Sequence, residues 1–286
     1  MIARHFLEQR RMNSEFNPEY LSRRQALRKG AGAAALLACG AWPGALQAQG
    51  VATGEFRFVV ANDLHYFDEK CNPFFQRVVK RIQATPGGVD FVMLAGDISD
   101  WGQDFHFAAV KDIFGVLKKP VHVVCGNHDW ADWDDRKAFI DAYPNSLNYT
   151  FEHGGFQVIG LDSTDRTLLR AAVTPETLAW LDEHLPKIDK KRPLLVFTHF
   201  PMHPQLQWPS RNSADVLARF SEYNLQAVFG GHCHAYRAAQ SGHAAVVTNR
   251  CCSFKVRNHD RTPEKGYFLC HAKDGQVRRE FVAVEA

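Results

Sequence analysis

Val121-His122-Val123-Val124-Cys125-Gly126-Asn127-His128-Asp129 runs an apolar strand straight into a cluster of polar side chains. The opening residues read as a strand buried on both faces, the habit of a parallel sheet. A plain turn does not call for Asn127, His128 and Asp129 in succession. Asn offers a neutral oxygen ligand, and the neighbouring His transfers a proton or binds an oxyanion.

Working outward, the same design recurs. Asp63-Leu64-His65 follows the apolar run Phe56–Ala61, and Gly96-Asp97-Ile98-Ser99-Asp100 follows Val89–Ala95. Thr198-His199 ends the run that begins at Leu194, and Gly231-His232-Cys233-His234 places two imidazoles two residues apart. Gly96 lets the backbone turn tightly so that Asp97 projects from the strand end. Each motif alone is common. Together they supply carboxylates, an amide oxygen and several imidazoles where a parallel sheet leaves its strand ends open. That mix suits a pair of divalent first-row cations better than one structural zinc. Two such cations acidify a shared water and clamp a phosphoryl group.

Between the strands lie helical patterns. Pro73–Ala84 puts Phe74, Phe75, Val78, Val79 and Ile82 on one side, and Asp104–Lys118 and Asp132–Ala142 behave similarly. Thr174-Pro175-Glu176 opens a helix through Leu185, and Asn212-Ser213-Ala214-Asp215 opens another ending near Tyr223. Asn148–Glu152 and Phe156–Leu161 read as a hairpin across His153-Gly154-Gly155. After His234 come Ala244–Thr248, Tyr267–His271 and Val277–Val284, the last pair joined at Asp274-Gly275. A βα-alternating front and a β-rich back predict an α/β protein of two packed sheets with helices outside.

The net charge of +3 comes from one end. Residues 1–48 carry seven Lys+Arg against three Asp+Glu, leaving 27 basic and 28 acidic residues in the remainder. A body so near neutrality gives no electrostatic case for nucleic acid. The arm has the pattern of an export signal: Arg23-Arg24, then a weakly apolar Gly30–Cys39, then small residues to Ala48. It is similar to a twin-arginine signal, although Ala26 stands where that family has a large apolar residue. The expected organisation is a signal segment over 1–48, a single domain over 49–286, and export to the periplasm through the twin-arginine machinery. The apolar stretch is too short for a stable membrane span. Leu36-Leu37-Ala38-Cys39 approximates a lipoprotein box that would anchor the chain by lipid at Cys39, but Leu37 is large for its place. An ordinary signal residue is the expectation there. Six further cysteines permit disulfides without assigning them.

The ordered set of motifs resembles the calcineurin-like metallophosphoesterases across nearly all of residues 56–240. The resemblance implies the metallophosphatase fold, a four-layer αββα sandwich of two mixed β-sheets flanked by helices. It also implies a centre of two transition-metal ions, Mn, Fe or Zn, acting on a small phosphate ester. Carried over by position, Asp63, His65, Asp97 and His234 would hold one metal. Asp97 would bridge to the second, held also by Asn127, His199 and His232. His128 would be the catalytic acid that protonates the leaving group as a metal-activated hydroxide attacks, and Asp100 matches the acidic residue that orients that imidazole in some branches. Purple acid phosphatases carry a tyrosine ligand where this chain has Asp100, and exported 5′-nucleotidases carry a second domain for which 286 residues leave no room. The small cyclic-nucleotide phosphodiesterase branch is more similar, through Gly126–Asp129 and Thr198-His199-Phe200-Pro201. A small phosphodiester is therefore the expected substrate, with a phosphomonoester as the alternative. A non-catalytic binding protein would be expected to have lost ligands, and none is missing.

His203 is a candidate for the substrate mouth, and Arg166 and Arg211 for phosphate clamps. Trp130 and Trp133 are read as packing residues. His106, His122, His153, His184, His243, His259 and His271 lack ligand-like company and are read as structural.

Overall fold

A computed structural model describes residues 53–285. The expectations for Arg23-Arg24, Cys39 and the segment 1–48 lie outside the described residues. Eleven strands, β1 (Phe56–Ala61), β2 (Phe91–Ala95), β3 (Val121–Val124), β4 (Asn148–His153), β5 (Phe156–Leu161), β6 (Leu194–Phe197), β7 (Leu225–Gly230), β8 (Arg237–Ser241), β9 (Ala244–Thr248), β10 (Lys265–Lys273) and β11 (Gln276–Val284), form two sheets. The first has the order β11-β10-β1-β2-β3 and the second β4-β5-β6-β7-β9-β8. Both are mixed: β1, β2 and β3 run parallel, as do β5, β6, β7 and β9, while the outer partners are antiparallel.

The two-residue period of the strands divides the core. Phe56, Phe58 and Val60 face the second sheet, where they meet Phe156, Val158, Phe197 and Phe229. Phe58 stacks on Phe91 at 5.0 Å, Phe197 stacks on Phe229 at 5.2 Å, and the two stacks meet edge-on at 6.0–6.1 Å. Such pairs add about 0.5–1.5 kcal/mol each to the area they bury. Val59 and Ala61 face the other way, towards α1 (Asn72–Gln83), α2 (Asp104–Gly115) and α3 (Lys137–Ala142). The second sheet packs outward against α4 (Pro175–His184) and α5 (Ser213–Ala218). The result is helix, sheet, sheet, helix, as the resemblance implied.

Some bounds differ from the sequence reading. The helix expected from Asp132 begins only at Lys137, because Asp132 and Asp135 spend their carboxylates on the backbone N–H groups of Trp133 and Lys137. Beyond Ala218 the backbone N–H groups of Arg219, Phe220 and Ser221 bond three residues back, so α5 tightens into turns before Tyr223. The edge strand β8 was not anticipated, since Arg-Ala-Ala-Gln-Ser shows no apolar alternation. The β10–β11 hairpin turns at Asp274-Gly275, both left-handed, as a two-residue turn of this kind requires. Among the described residues all six cysteines are free and buried, and no helix is long and apolar enough to cross a membrane.

Candidate metal centre

The parallel strands of both sheets end at one edge of the sandwich, where side chains following a strand are free of the ladder. Asp63 and His65 follow β1, Asp97 follows β2, Asn127 follows β3, His199 follows β6, and His232 and His234 follow β7. The fold therefore brings all seven expected ligands together. Asp63, His65, Asp97 and His234 offer ligand atoms within 4.8 Å of one another, and so do Asp97, His199 and His232. Asp97 belongs to both groups. Its Oδ2 lies 3.5 Å from His65 Nε2 and 3.4 Å from His199 Nε2. Asn127 Oδ1 lies 3.2 Å from His199 Nε2.

Five of these residues hold left-handed backbone: Asp63 (φ 53°), His65 (48°), Asp97 (50°), His232 (66°) and His234 (39°). Such conformations persist only where the surroundings over-determine them, and they gather at functional sites. Close approach sets two glycines. A Cβ on Gly96 would lie 2.4 Å from His199 Nδ1, and one on Gly126 would lie 2.1 Å from the Asp97 nitrogen.

Each imidazole among the expected ligands spends one nitrogen on a fixed acceptor. Nδ1 of His65 faces Asp100 Oδ1 at 3.0 Å, Nδ1 of His199 faces the Ala95 carbonyl at 3.1 Å, and Nδ1 of His234 faces the Arg257 carbonyl at 3.2 Å. His232 is reversed, with Nε2 at 3.0 Å from the Leu169 carbonyl. Donation to these acceptors fixes the ring orientation and leaves the other nitrogen, Nε2 in the first three and Nδ1 in His232, as the atom that can bind a metal once it carries no proton. The Nε2 atoms of His65 and His234 then face each other at 3.3 Å. Burial opposes a charged His234, but Asp63, 3.2 Å from its Nε2, lifts that imidazole well above its usual range, so a proton holds the place a cation would take. Imidazole nitrogens converging on two buried carboxylates form a donor set that fits transition metals.

The charges are coupled accordingly. Burial alone would raise the Asp63 and Asp97 carboxyls, but His234 beside the first, and His199 and His128 beside the second, hold both below the usual carboxylate range. Burial opposes a charged His199, yet Asp97 lifts its imidazole to about 9. Burial and His199 together push His232 down to about 3. Asp129 is driven up to about 8 by burial and by Asp97, while its two oxygens accept the backbone N–H groups of Ser99 and Gly126.

His128 differs from the seven expected ligands. It is half-buried where they are buried, its N–H donates to Asp97 Oδ1 at 2.8 Å, and its Nδ1 lies 3.0 Å from the Asp100 carbonyl. Asp100 thus meets His128 through its main chain. Its carboxylate instead joins His65 Nδ1 to Lys255 Nζ. Burial raises the Asp100 carboxyl, but His65 and then Lys255 outweigh it and bring it to about 2. His203 is not in the cluster. It lines a separate cavity of about 500 Å³ with Leu217, Tyr223, Leu225 and His243. Arg166 lies over the Trp133 ring at 5.8 Å, and Arg211 donates its backbone N–H to Ala171.

The calcineurin-like phosphoesterase profile matches residues 56–236. The chain belongs to that family. A probable glycerophosphodiester phosphodiesterase of Arcobacter nitrofigilis is 28% identical over 66% of this chain and 72% of its own length. A 3′,5′-cyclic-nucleotide phosphodiesterase of Nostoc is 26% identical over 56% of this chain, a match that spans 61% of that relative. Among solved structures, a purple acid phosphatase from yellow lupin superposes with a TM-score of 0.61 at 13% identity, covering 81% of this chain and 52% of that one. GAP50, the anchor in the inner membrane complex of Plasmodium, gives 0.59 at 15% identity, covering 80% and 85%. These last two show the fold alone. As a calcineurin-like phosphoesterase the chain is a metallophosphoesterase, a hydrolase with a buried Asp/His cluster suited to metal ions.

The sequence reading missed the segment between β9 and β10. Cys252 donates its backbone N–H to the Asn62 carbonyl, His259 donates its own to the His234 carbonyl, and the Arg257 carbonyl meets His234. The His259 ring lies parallel to His234 at 4.5 Å, with Trp208 edge-on to it at 4.8 Å. His259 therefore has company at the site after all. A run holding Arg250, Lys255, Arg257, His259 and Arg261 between two strands was the available signal.

Proposed function

We propose that this phosphoesterase hydrolyses a small phosphodiester at two transition-metal ions, with His128 as general acid. The observation that carries the reading is a contrast among the imidazoles that follow the strands: His65, His199, His232 and His234 are buried with a nitrogen turned into the carboxylate cluster, whereas His128 is half-buried, with its backbone N–H on Asp97 and its Nδ1 on the Asp100 carbonyl. Metal ions there would supply Lewis acidity and an acidified water. The protein's own part is to hold charge and move one proton. Asp97 fixes the His128 backbone, and the Asp100 carbonyl accepts from Nδ1, so Nε2 is the atom left to protonate the departing alkoxide.

The choice of a diester rests on the relatives, two of which are named for phosphodiester hydrolysis. Rates on bis- and mono-p-nitrophenyl phosphate, with metal-defined protein, test it. A clear preference for bis-p-nitrophenyl phosphate is expected. A preference for the monoester makes the protein a phosphatase working from the same residues. Export through the twin-arginine route is proposed on Arg23-Arg24 and the stretch after them. Unchanged export after both are replaced by Lys, followed by cell fractionation, would remove it.

A further inference from the structure

We propose that Lys255 is a positioning residue of the metal centre, acting through Asp100 on His65. The inference rests on the metal reading above, and it concerns a residue beyond position 236, where the family match ends.

Lys255 lies between β9 and β10, and its ammonium is held on three sides. Nζ pairs with Asp100 Oδ2 and stands over the rings of Trp101 at 4.6 Å and Phe67 at 4.8 Å. Each aromatic face adds attraction for a cation. The other Asp100 oxygen accepts from His65 Nδ1 at 3.0 Å, and the Asp100 and His65 side chains are almost wholly buried. His65 Nε2 ends the chain among Asp97 and His234. Ammonium, carboxylate and imidazole thus form one line from the site's rim to a ligand atom.

The physical need for Lys255 follows from this line. A carboxylate bonded to one imidazole only can rotate and release Nδ1, and His65 then loses both its ring orientation and its tautomer. Pairing the second oxygen stops that rotation. Outer partners of this kind change metal affinity by about 10–100-fold. With a carboxylate and two ring faces around it, the ammonium is already engaged, which sets it apart from a free phosphate clamp. The backbone bonds of Cys252, Arg257 and His259 bring the segment against the centre, and Lys255 is its side-chain link to Asp100.

Calorimetric titration with Mn(II) tests this on metal-free protein of the wild type and of Lys255→Met, Lys255→Arg, Asp100→Asn and the Lys255→Met/Asp100→Asn pair. Lys255→Met should weaken one of two equivalents by about 10–100-fold and leave the other in place. At saturating Mn(II) its KM should stay within about twofold of the wild type, the mark of a group that does not touch substrate. Lys255→Arg should restore the weakened equivalent, because a guanidinium keeps the carboxylate paired. The double variant should bind Mn(II) no more weakly than Asp100→Asn, since both residues act along one line. If the wild type takes up no Mn(II), the metal reading fails first. If the wild type binds two ions and Lys255→Met binds them equally well, the inference is overturned. It is overturned also if KM rises while the isotherm stays intact, or if both equivalents are lost and Lys255→Arg does not recover them.

Discussion

Two walls of the candidate metal centre are built on opposite plans. One consists of the loops after β1, β2, β3, β6 and β7, which carry every candidate ligand, five of them on left-handed backbone. The other is the segment between β9 and β10, which contributes none of those ligands yet holds two of the imidazoles through Lys255–Asp100 and the Arg257 carbonyl. Ligand identity is local: an apolar strand stops, and a polar side chain appears at its open end. Ligand orientation is long-range, because the partner of His65 is itself fixed by a residue 155 positions beyond Asp100.

The strongest way to break that comparison is Asp97→Asn. Asp97 belongs to both ligand groups, and its other oxygen fixes the His128 backbone. Metal analysis should show depletion of both ions and turnover should collapse, a larger loss than any change in the outer wall. Two retained equivalents with normal turnover would show that the ligand wall is not organised around Asp97.

His128→Asn comes next, and it separates chemistry from binding within the same wall. The variant should keep its metals, while kcat falls by about 10²–10⁴, the range for a lost general acid–base group. The fall should be steepest for poor leaving groups, since p-nitrophenolate needs little help from a proton. A uniform fall across leaving groups, or metal lost together with activity, would move His128 among the ligands.

The same division explains what could be read from the sequence. The strands before Asp63, Asp97, Asn127 and His199 announce themselves as apolar runs, and the α/β order follows from helices between them. Asp100 shows the limit. Its place in Gly96–Asp100 marked it as an orienting acid, but no local pattern tells which imidazole its carboxylate meets. Packing of the β9–β10 segment decides that, and the carboxylate goes to His65 while the carbonyl goes to His128. His259 reads as structural from the sequence because its neighbours there offer no ligand pattern, whereas its neighbour in space is His234. His203 shows the converse: it follows His199 closely in sequence, and the loop carries it to another cavity.

A smaller effect concerns protons on the ligand wall. Burial opposes the charged His199 imidazole, but the Asp97 carboxylate raises it to about 9. In metal-free protein His199 therefore keeps its proton below that pH, and an incoming cation must displace it. Affinity at the His199 site should rise with pH, about tenfold per unit for one displaced proton, and level off near pH 9. Calorimetry in buffers of different ionisation enthalpy counts the released protons. The slope should survive Lys255→Met, because that substitution acts on the His65 side. A flat profile would mean that His199 carries no proton for the metal to displace.

The smallest effect calibrates the others. Arg192, just before β6, forms a two-pronged pair with Glu152 of the β4–β5 hairpin, both contacts at 2.8 Å, and donates its Nε to the Gly155 carbonyl at 3.2 Å. Its chemistry matches that of Lys255 and Asp100, a long cationic side chain on a carboxylate, but Glu152 is mostly open to water. Exposed pairs contribute at most about 1 kcal/mol. Arg192→Met should therefore lower the melting temperature by no more than about 2–4 °C and leave the Mn(II) isotherm unchanged. Lys255→Met makes the same chemical deletion at a pair whose carboxylate is buried and bonded to a ligand, so its effect should appear in metal affinity. If Arg192→Met weakened Mn(II) binding as much as Lys255→Met, loss of a cation anywhere on the sandwich would suffice. The two walls would then differ in sequence but not in physical role.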